Sequence, residues 1–293
     1  MSEVALALEA MATRFELVLD GGDPVRLRAA GEEALAEVAR AEAQLSRFRA
    51  TSDVAAVNAG AGGRPVRVDP RVAALLAGCV ALARLTDGAF DVTVGPLVRA
   101  WGFTDAGGAP ADPAAVVRAR ALVGIDGLEV DATGSTIRLA RAGMELDLGA
   151  IGKGYAIDRA VAVLAEHDVP RALLHGGTSS VHCLGHPVTA GAWTVGWSVP
   201  GAPPEARRLT PARPALGVSA VHGRSFRGAD GRRWGHVLDP RRGAPTQAAA
   251  SACVVGAAST LCDALSTALL VHGASWRDTL SARFPGYEGW TAA

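Results

Sequence analysis

Apolar and polar residues alternate from Val4 to Asp20, a period of two that predicts a strand or a hairpin. The period then changes. Leu35, Val38 and Leu45 recur at helical spacing with charged residues between them, predicting a helix over 29–48. A second apolar stripe predicts a helix over 71–85 that stops near Gly88. Asp112-Pro113 pairs an N-cap residue with a first-turn proline and opens a helix over 113–122. Residues 128–131 and 136–140 read as a hairpin turning at Thr133-Gly134. Residues 144–148 read as a strand that enters a glycine turn, with a helix over 155–167 behind it. Short strands are predicted over 171–175, 180–184, 193–199, 234–238 and 252–255, and closing helices over 260–272 and 275–284. Strands and helices mix without strict βαβ alternation, so the predicted fold class is α+β. The stretches 105–111 and 201–214 are rich in Gly or Pro and are candidate breaks. They leave room for two lobes with a cleft between them inside one domain spanning 1–293.

Composition narrows the function classes. Of 293 residues, 49% are hydrophobic and 20% charged, which excludes a disordered chain. Basic and acidic residues balance at 29 each, so no net field gathers nucleic acid or anionic lipid. No apolar run is long enough to span a bilayer. Cys79, Cys183, Cys253 and Cys262 are too scattered for a disulfide framework or a metal knuckle and read as small buried hydrophobes. Glu3, Glu9, Arg14 and Glu16 interrupt the first twenty residues, unlike a secretory signal. The expected compartment is the reducing cytoplasm. Lys153 is the sole lysine among arginines, which singles it out for a compact ammonium.

Three segments carry candidate chemistry. In Asp147-Leu148-Gly149-Ala150-Ile151-Gly152-Lys153-Gly154-Tyr155 a strand ends, glycines turn, and a helix begins. Free N–H groups at a helix start beside an ammonium suit a phosphate, although a tight turn with a surface lysine has the same spelling. It is neither a Walker A loop nor GxGxxG. Asp263 and Thr267, four apart, share a helix face and offer the oxygen ligands a hard cation accepts. The alternative is an aspartate favoured by the helix dipole and a threonine bonded back to a carbonyl. In Trp234–Gly243, His236 could orient a phosphate, act as a base or bond a loop carbonyl, while Asp239-Pro240 is a turn signal. An aromatic-flanked loop, Gly88–Leu97 with Trp101-Gly102-Phe103, could wall a planar ligand or belong to the core.

Taken in order, these segments resemble the FAD:protein FMN transferase (ApbE) family. The resemblance runs from Met11-Ala12-Thr13 through Leu45-Ser46-Arg47-Phe48 with Ser52 and Asn58. It continues through 88–102, 147–158 and 231–243 to 263–267, closing at Gly273. It implies an α+β fold holding FAD in a cleft between two lobes. It also implies Mg²⁺-dependent transfer of FMN to a threonine or serine of a target protein, releasing AMP. Carried over residue by residue, Met11, Phe48, Ala89, Phe90, Asp91, Asp147, Lys153 and Val237 are expected to contact FAD. Ala150 (through its carbonyl), Asp263, Thr267 and Ser266 are the expected Mg²⁺ ligands. His236, followed by Asp239, is the expected catalytic base. Loss of transfer would leave a flavin-binding module, and water in place of the hydroxyl would make a FAD pyrophosphatase. The family's usual Met-Gly-Thr is Met11-Ala12-Thr13 here, and its usual tyrosine near position 48 is Phe48.

Overall fold

The computed structural model describes residues 3–104, 108–109, 111–186, 193–197, 205–228 and 231–292. Parts of both candidate breaks (105–107, 110 and 201–204) lie outside the described residues, as does the 198–199 end of one expected strand. The N-terminal alternation forms β1 (Val4–Ala10) and β2 (Thr13–Asp20), antiparallel with Ala10 opposite Thr13. Between them Met11 and Ala12 have φ of 52° and 57°. Two successive left-handed residues make the tight turn whose twist matches that of the strands. Glycine enters that region freely, whereas alanine bears a steric cost there.

Local capping starts four of the eight α-helices among the described residues. Asp23 caps α1 (Pro24–Leu45) and Ser52 caps α2 (Asp53–Ala59). β3 (Val66–Arg67) follows, and Asp69 then caps α3 (Pro70–Leu85). α4 (Gly95–Ala100) precedes α5 (Pro113–Arg120), which Asp112 caps. In α1, α3 and α5 proline follows the capping aspartate, at a position whose missing N–H costs nothing. β4 (Leu128–Asp131) and β5 (Thr136–Leu139) form the expected hairpin, with β3 on the far side of β5. The strand expected over 144–148 is not there; the segment makes one bridge, Val94 to Glu145. Asn58 takes the place of a neighbouring strand: Leu146 N–H donates to its Oδ1 at 2.7 Å, and its Nδ2 donates back to Leu146 C=O at 3.1 Å.

α6 (Gly152–Glu166) begins three residues earlier than expected and leads into the main sheet. That sheet comprises β6 (Arg171–Gly176), β7 (Ser180–Leu184), β10 (Ala215–Ala220), β15 (Ser251–Gly256) and β16 (Glu288–Ala292) together with β1 and β2. Its order is β1-β2-β6-β7-β10-β15-β16, antiparallel throughout. α1, α6 and α7 (Ser259–His272) pack on one face. A hairpin of β8 (Trp193–Trp197) and β9 (Glu205–Leu209) packs on the other, over Val181, Cys183, Leu216 and Cys253. The strand expected over 234–238 is split at His236-Val237. Its halves enter two hairpins, β11 (Ser225–Arg227) with β12 (Arg233–Gly235), and β13 (Leu238–Asp239) with β14 (Ala244–Pro245). α8 (Arg277–Arg283) precedes β16. All four cysteines are buried and none is in a disulfide. Among the described residues no helix is long and apolar enough to cross a membrane.

Candidate active site

The first turns of α6 and α7 meet at the centre of the molecule. A helix start has N–H groups without intrahelical acceptors, and its dipole favours a negative charge there. Each of these helices receives a carboxylate from the other. Gly154 N–H in α6 donates to Asp263 Oδ2 at 3.0 Å. The Asp158 carboxylate of α6 accepts from Ser259 N and Thr260 N, both at 2.8 Å, and from Thr260 Oγ1 at 2.6 Å. Lack of a side chain at Gly154 permits this approach. A Cβ there would stand 2.6 Å from the Ser259 carbonyl carbon and 2.9 Å from Asp263 Cβ. Gly217 of β10 does the same beneath α7, where a Cβ would meet Asp263 N at 2.7 Å.

The sheet holds α7 from below with polar side chains that alternate with apolar ones. Val181 and Cys183 of β7 point to the β8–β9 side, while Ser180 and His182 turn toward the helices. Ser180 Oγ donates to Asp263 Oδ1 at 3.3 Å, and His182 Nδ1 lies 2.9 Å from Ser259 Oγ. Ser219 of β10 sits 2.8 Å from Ser266 Oγ and 2.9 Å from Thr267 Oγ1.

These elements floor a cleft of about 1470 Å³. Lys153, Asp263, Thr267, Asp147 and Ala150 line it together. Lys153 Nζ stands 4.0 Å from Asp263 Oδ2. Burial pushes the Asp263 carboxyl above its ordinary range, against the pull of Lys153 and of the bonds from Gly154 and Ser180. A buried carboxylate with so little compensation favours a further positive charge. Apart from the Lys153 ammonium and the Gly154 N–H, the groups beside it include the Ser180 and Thr267 hydroxyls, oxygen donors of the type a hard cation takes. Among the described residues no cluster of three or more His, Cys, Asp or Glu could hold a metal, so a cation here would rest on one carboxylate and neutral oxygens.

The opposite wall carries His236. Its ring opens onto the cleft and meets Phe103 edge-on, with centroids 6.5 Å apart. Although His236 is exposed to the cleft, partial burial against the surrounding walls lowers its pKa; Lys153 and Arg224 add to this, while its bond to the Arg224 carbonyl and Asp147 oppose. His236 Nδ1 lies 3.2 Å from the Arg224 carbonyl, which can only accept, so Nδ1 carries the proton and Nε2 is left as the basic nitrogen.

The other expected contact residues divide. Met11, Phe48, Ala89, Phe90, Asp91 and Val237 all line the cleft. Phe48 is 68% exposed at its lip, with the Arg47 guanidinium 5.5 Å from the ring centroid. Burial raises the Asp91 carboxyl, although it accepts from Thr93 N at 2.8 Å and Thr93 Oγ1 at 2.7 Å. Two of the expected residues lie outside the cleft lining. Asp239 does not line the cleft: its carboxylate is consumed by Arg241, whose N, Nε and Nη2 donate to it at 3.0, 2.9 and 3.0 Å. It stabilises a turn and is not placed to take a proton from a bound molecule. Ser266 is fully buried, is not among the residues lining the cleft and donates to the Asp263 carbonyl at 2.8 Å; Thr267 Oγ1 makes a longer bond to the same carbonyl, at 3.4 Å, but lines the cleft.

The ApbE family model matches residues 11–289. The chain belongs to the ApbE family. It is similar to the FAD:protein FMN transferase of Klebsiella pneumoniae, 38% identical over 76% of this chain and 71% of that protein. The FAD:protein FMN transferase of Treponema pallidum is 34% identical over 89% of this chain and 76% of that protein. Among solved structures, the ApbE protein of Thermotoga maritima superposes with a TM-score of 0.88 at 28% identity, covering 98% of this chain and 93% of that one. The apo flavinyl transferase ApbE of Pseudomonas stutzeri gives 0.84 at 26%, covering 99% and 95%.

Several residues that shape this ApbE cleft had no role assigned from sequence. Arg47 is only 10% exposed; it donates to Asp147 Oδ2 at 2.7 Å and pairs with Glu145, which also pairs with Arg99. Asp158, Ser180 and Ser219 act through α7. The spacing of Gly154 and Asp158, four apart on one helix face, was the available signal.

Proposed function

We propose that this chain transfers FMN from FAD to a threonine or serine hydroxyl of a target protein and releases AMP. The observation that carries the reading is the convergence of Lys153, Asp263 and Thr267 on one floor of a 1470 Å³ cleft, in a chain that matches the ApbE family. That volume exceeds the roughly 300–1,000 Å³ of ordinary small-molecule sites, which favours a dinucleotide plus an entering acceptor segment. Its lining runs from Met11 to Thr267, which supports reading 1–293 as one working domain. Four buried cysteines outside any disulfide support a reducing, cytoplasmic location.

In this reading the FAD diphosphate lies against the Lys153 ammonium, whose charge offsets that of the phosphates. Met11, Phe48, 89–91, Asp147 and Val237 wall the remainder of FAD. Asp263, Thr267 and the Ala150 carbonyl would hold Mg²⁺, which would draw charge from the phosphorus and from the departing AMP. The acceptor oxygen forms its bond to the FMN phosphorus as the anhydride bond to AMP breaks. Its proton passes to His236 Nε2, which is kept unprotonated near neutral pH by the desolvation already described.

The test is incubation with FAD, Mg²⁺ and a display library of threonine- and serine-bearing segments on a carrier domain. A mass increase of one FMN on a library member, with one AMP released, is expected. AMP without an adduct would show a hydrolase. Bound FAD with neither product would show a binding module. Either result overturns the proposal.

A further inference from the structure

We infer that Asp158 is a positioning residue for the cation site: it fixes the start of α7, and thereby sets where Asp263 and Thr267 stand in the cleft. The inference rests on the proposed cation role of those two residues. Ser259, Asp263 and Thr267 follow one another at intervals of four along α7 and form one stripe. Gly154 and Asp158 form the facing stripe on α6. The two stripes cap each other: Asp263 serves the α6 start through Gly154 N–H, and Asp158 serves the α7 start through Ser259 and Thr260.

The exchange is unequal. Asp158 accepts three strong donors, with His182 Nδ1 at 3.6 Å as a fourth neighbour. Burial alone would raise its carboxyl, but the nearby His182 and the bonds from Thr260 and Ser259 outweigh that and hold it below the ordinary range. Asp263 accepts one good bond, from Gly154, and one long one, from Ser180. The Asp158 end therefore anchors the joint, and the Asp263 end keeps spare acceptor capacity facing the cleft. α7 provides no cap of its own, since Ala258 at its N-cap has no side-chain acceptor. Without Asp158 the first turn of α7 loses its only carboxylate cap among the described residues, and Asp263, one turn further on, loses its reference to α6.

The experiment compares Asp158→Asn, Asp158→Ala and Asp158→Glu with wild type and Asp263→Ala. Mn²⁺ binding is titrated in the presence of FAD, FAD affinity is measured separately without metal, and amide exchange is followed over 259–263. Leu27→Ala, which opens a cavity in the core beneath α1 and removes no group bonded to α7, controls for loss of stability alone. Asp158→Ala is expected to weaken Mn²⁺ binding by about ten-fold or more, in the range for partners that orient metal ligands. Amide exchange over 259–263 rises and metal-free FAD affinity is unchanged. Asp158→Glu recovers part of the Mn²⁺ affinity, and Leu27→Ala leaves it at the wild-type value. If Asp158→Ala does not fold, the Asn variant, which keeps one acceptor oxygen, carries the comparison. Wild-type Mn²⁺ affinity in the Asp158 variants overturns the inference while leaving the cation site intact. No Mn²⁺ binding by wild type, or full binding by Asp263→Ala, removes the cation reading and this inference with it.

Discussion

Replacing Gly154 with alanine adds one methyl group at the closest approach of α6 and α7. The new Cβ would lie 2.6 Å from the Ser259 carbonyl carbon and 2.9 Å from Asp263 Cβ, where ordinary contact begins at 3.4 Å. One helix must therefore shift by about 1 Å before the overlap is relieved. Overpacking of this kind costs about 1–3 kcal/mol. Alanine returns up to about 1 kcal/mol of helix propensity, less in a first turn. The net loss of about 0–3 kcal/mol leaves a protein of this size folded, with a melting temperature lower by up to roughly ten degrees. Catalysis is far less tolerant, because a misplacement of about 1 Å at reacting groups costs about 100-fold. The Gly154 N–H bond to Asp263 is also lost or lengthened. The assay measures AMP release from FAD beside thermal unfolding. Turnover falling about 100-fold in a folded variant is expected. Turnover within about three-fold of wild type, a difference of under 1 kcal/mol, would refute the claim that this helix contact places the catalytic groups.

Asp263→Asn lowers metal-dependent turnover by at least about 100-fold without loss of stability. The folded carboxyl has a raised pKa, so its ionised form costs stability once the pH rises through that value, and the amide removes the cost. Thermal unfolding at pH 7–8 without metal checks this; a clear drop in melting temperature contradicts it. His236→Gln removes the acid limb of the pH–rate profile. Because the folded imidazole titrates below 6.5, wild-type activity persists through pH 6.5 and falls only below it. Survival of that limb in the variant would exclude His236 as the base. Ala12→Gly relieves the left-handed strain of the hairpin turn and stabilises the fold by about 0.5 kcal/mol after the entropic cost of glycine. A lower melting temperature would contradict the strain argument.

Local chemistry was readable wherever it decided the outcome. The N-terminal alternation needed only its own two strands, and Asp112-Pro113 needed only its own N–H groups to start α5. Asp239-Pro240 shows the limit of such reasoning. It has the same spelling, and the aspartate again accepts the N–H two residues on, but the chain turns back into β14 and no helix follows. What decides is Arg241, whose guanidinium closes over the carboxylate. Residues 144–148 failed for a related reason, since the backbone of Leu146 pairs with the Asn58 side chain, 88 residues away, and those of Glu145 and Asp147 bond to the irregular stretch at 92–95. The strand β10 alternates Leu216 and Val218 with small residues, a short pattern with little polar contrast. Its Gly217 and Ser219 make sense only once α7 lies across them. Gly154 and Asp263 were each visible as motif members. Their mutual contact spans 109 residues and belongs to the packing of two helices rather than to any window of sequence.

The most direct test is a crystal of the protein soaked with FAD and Mn²⁺, read by anomalous scattering. The predicted result is a manganese peak in direct contact with the Asp263 carboxylate and Thr267 hydroxyl, with the flavin dinucleotide's phosphates beside Lys153 Nζ. Phosphates bound instead along the Arg224 wall, with the metal absent from Asp263, would contradict the account.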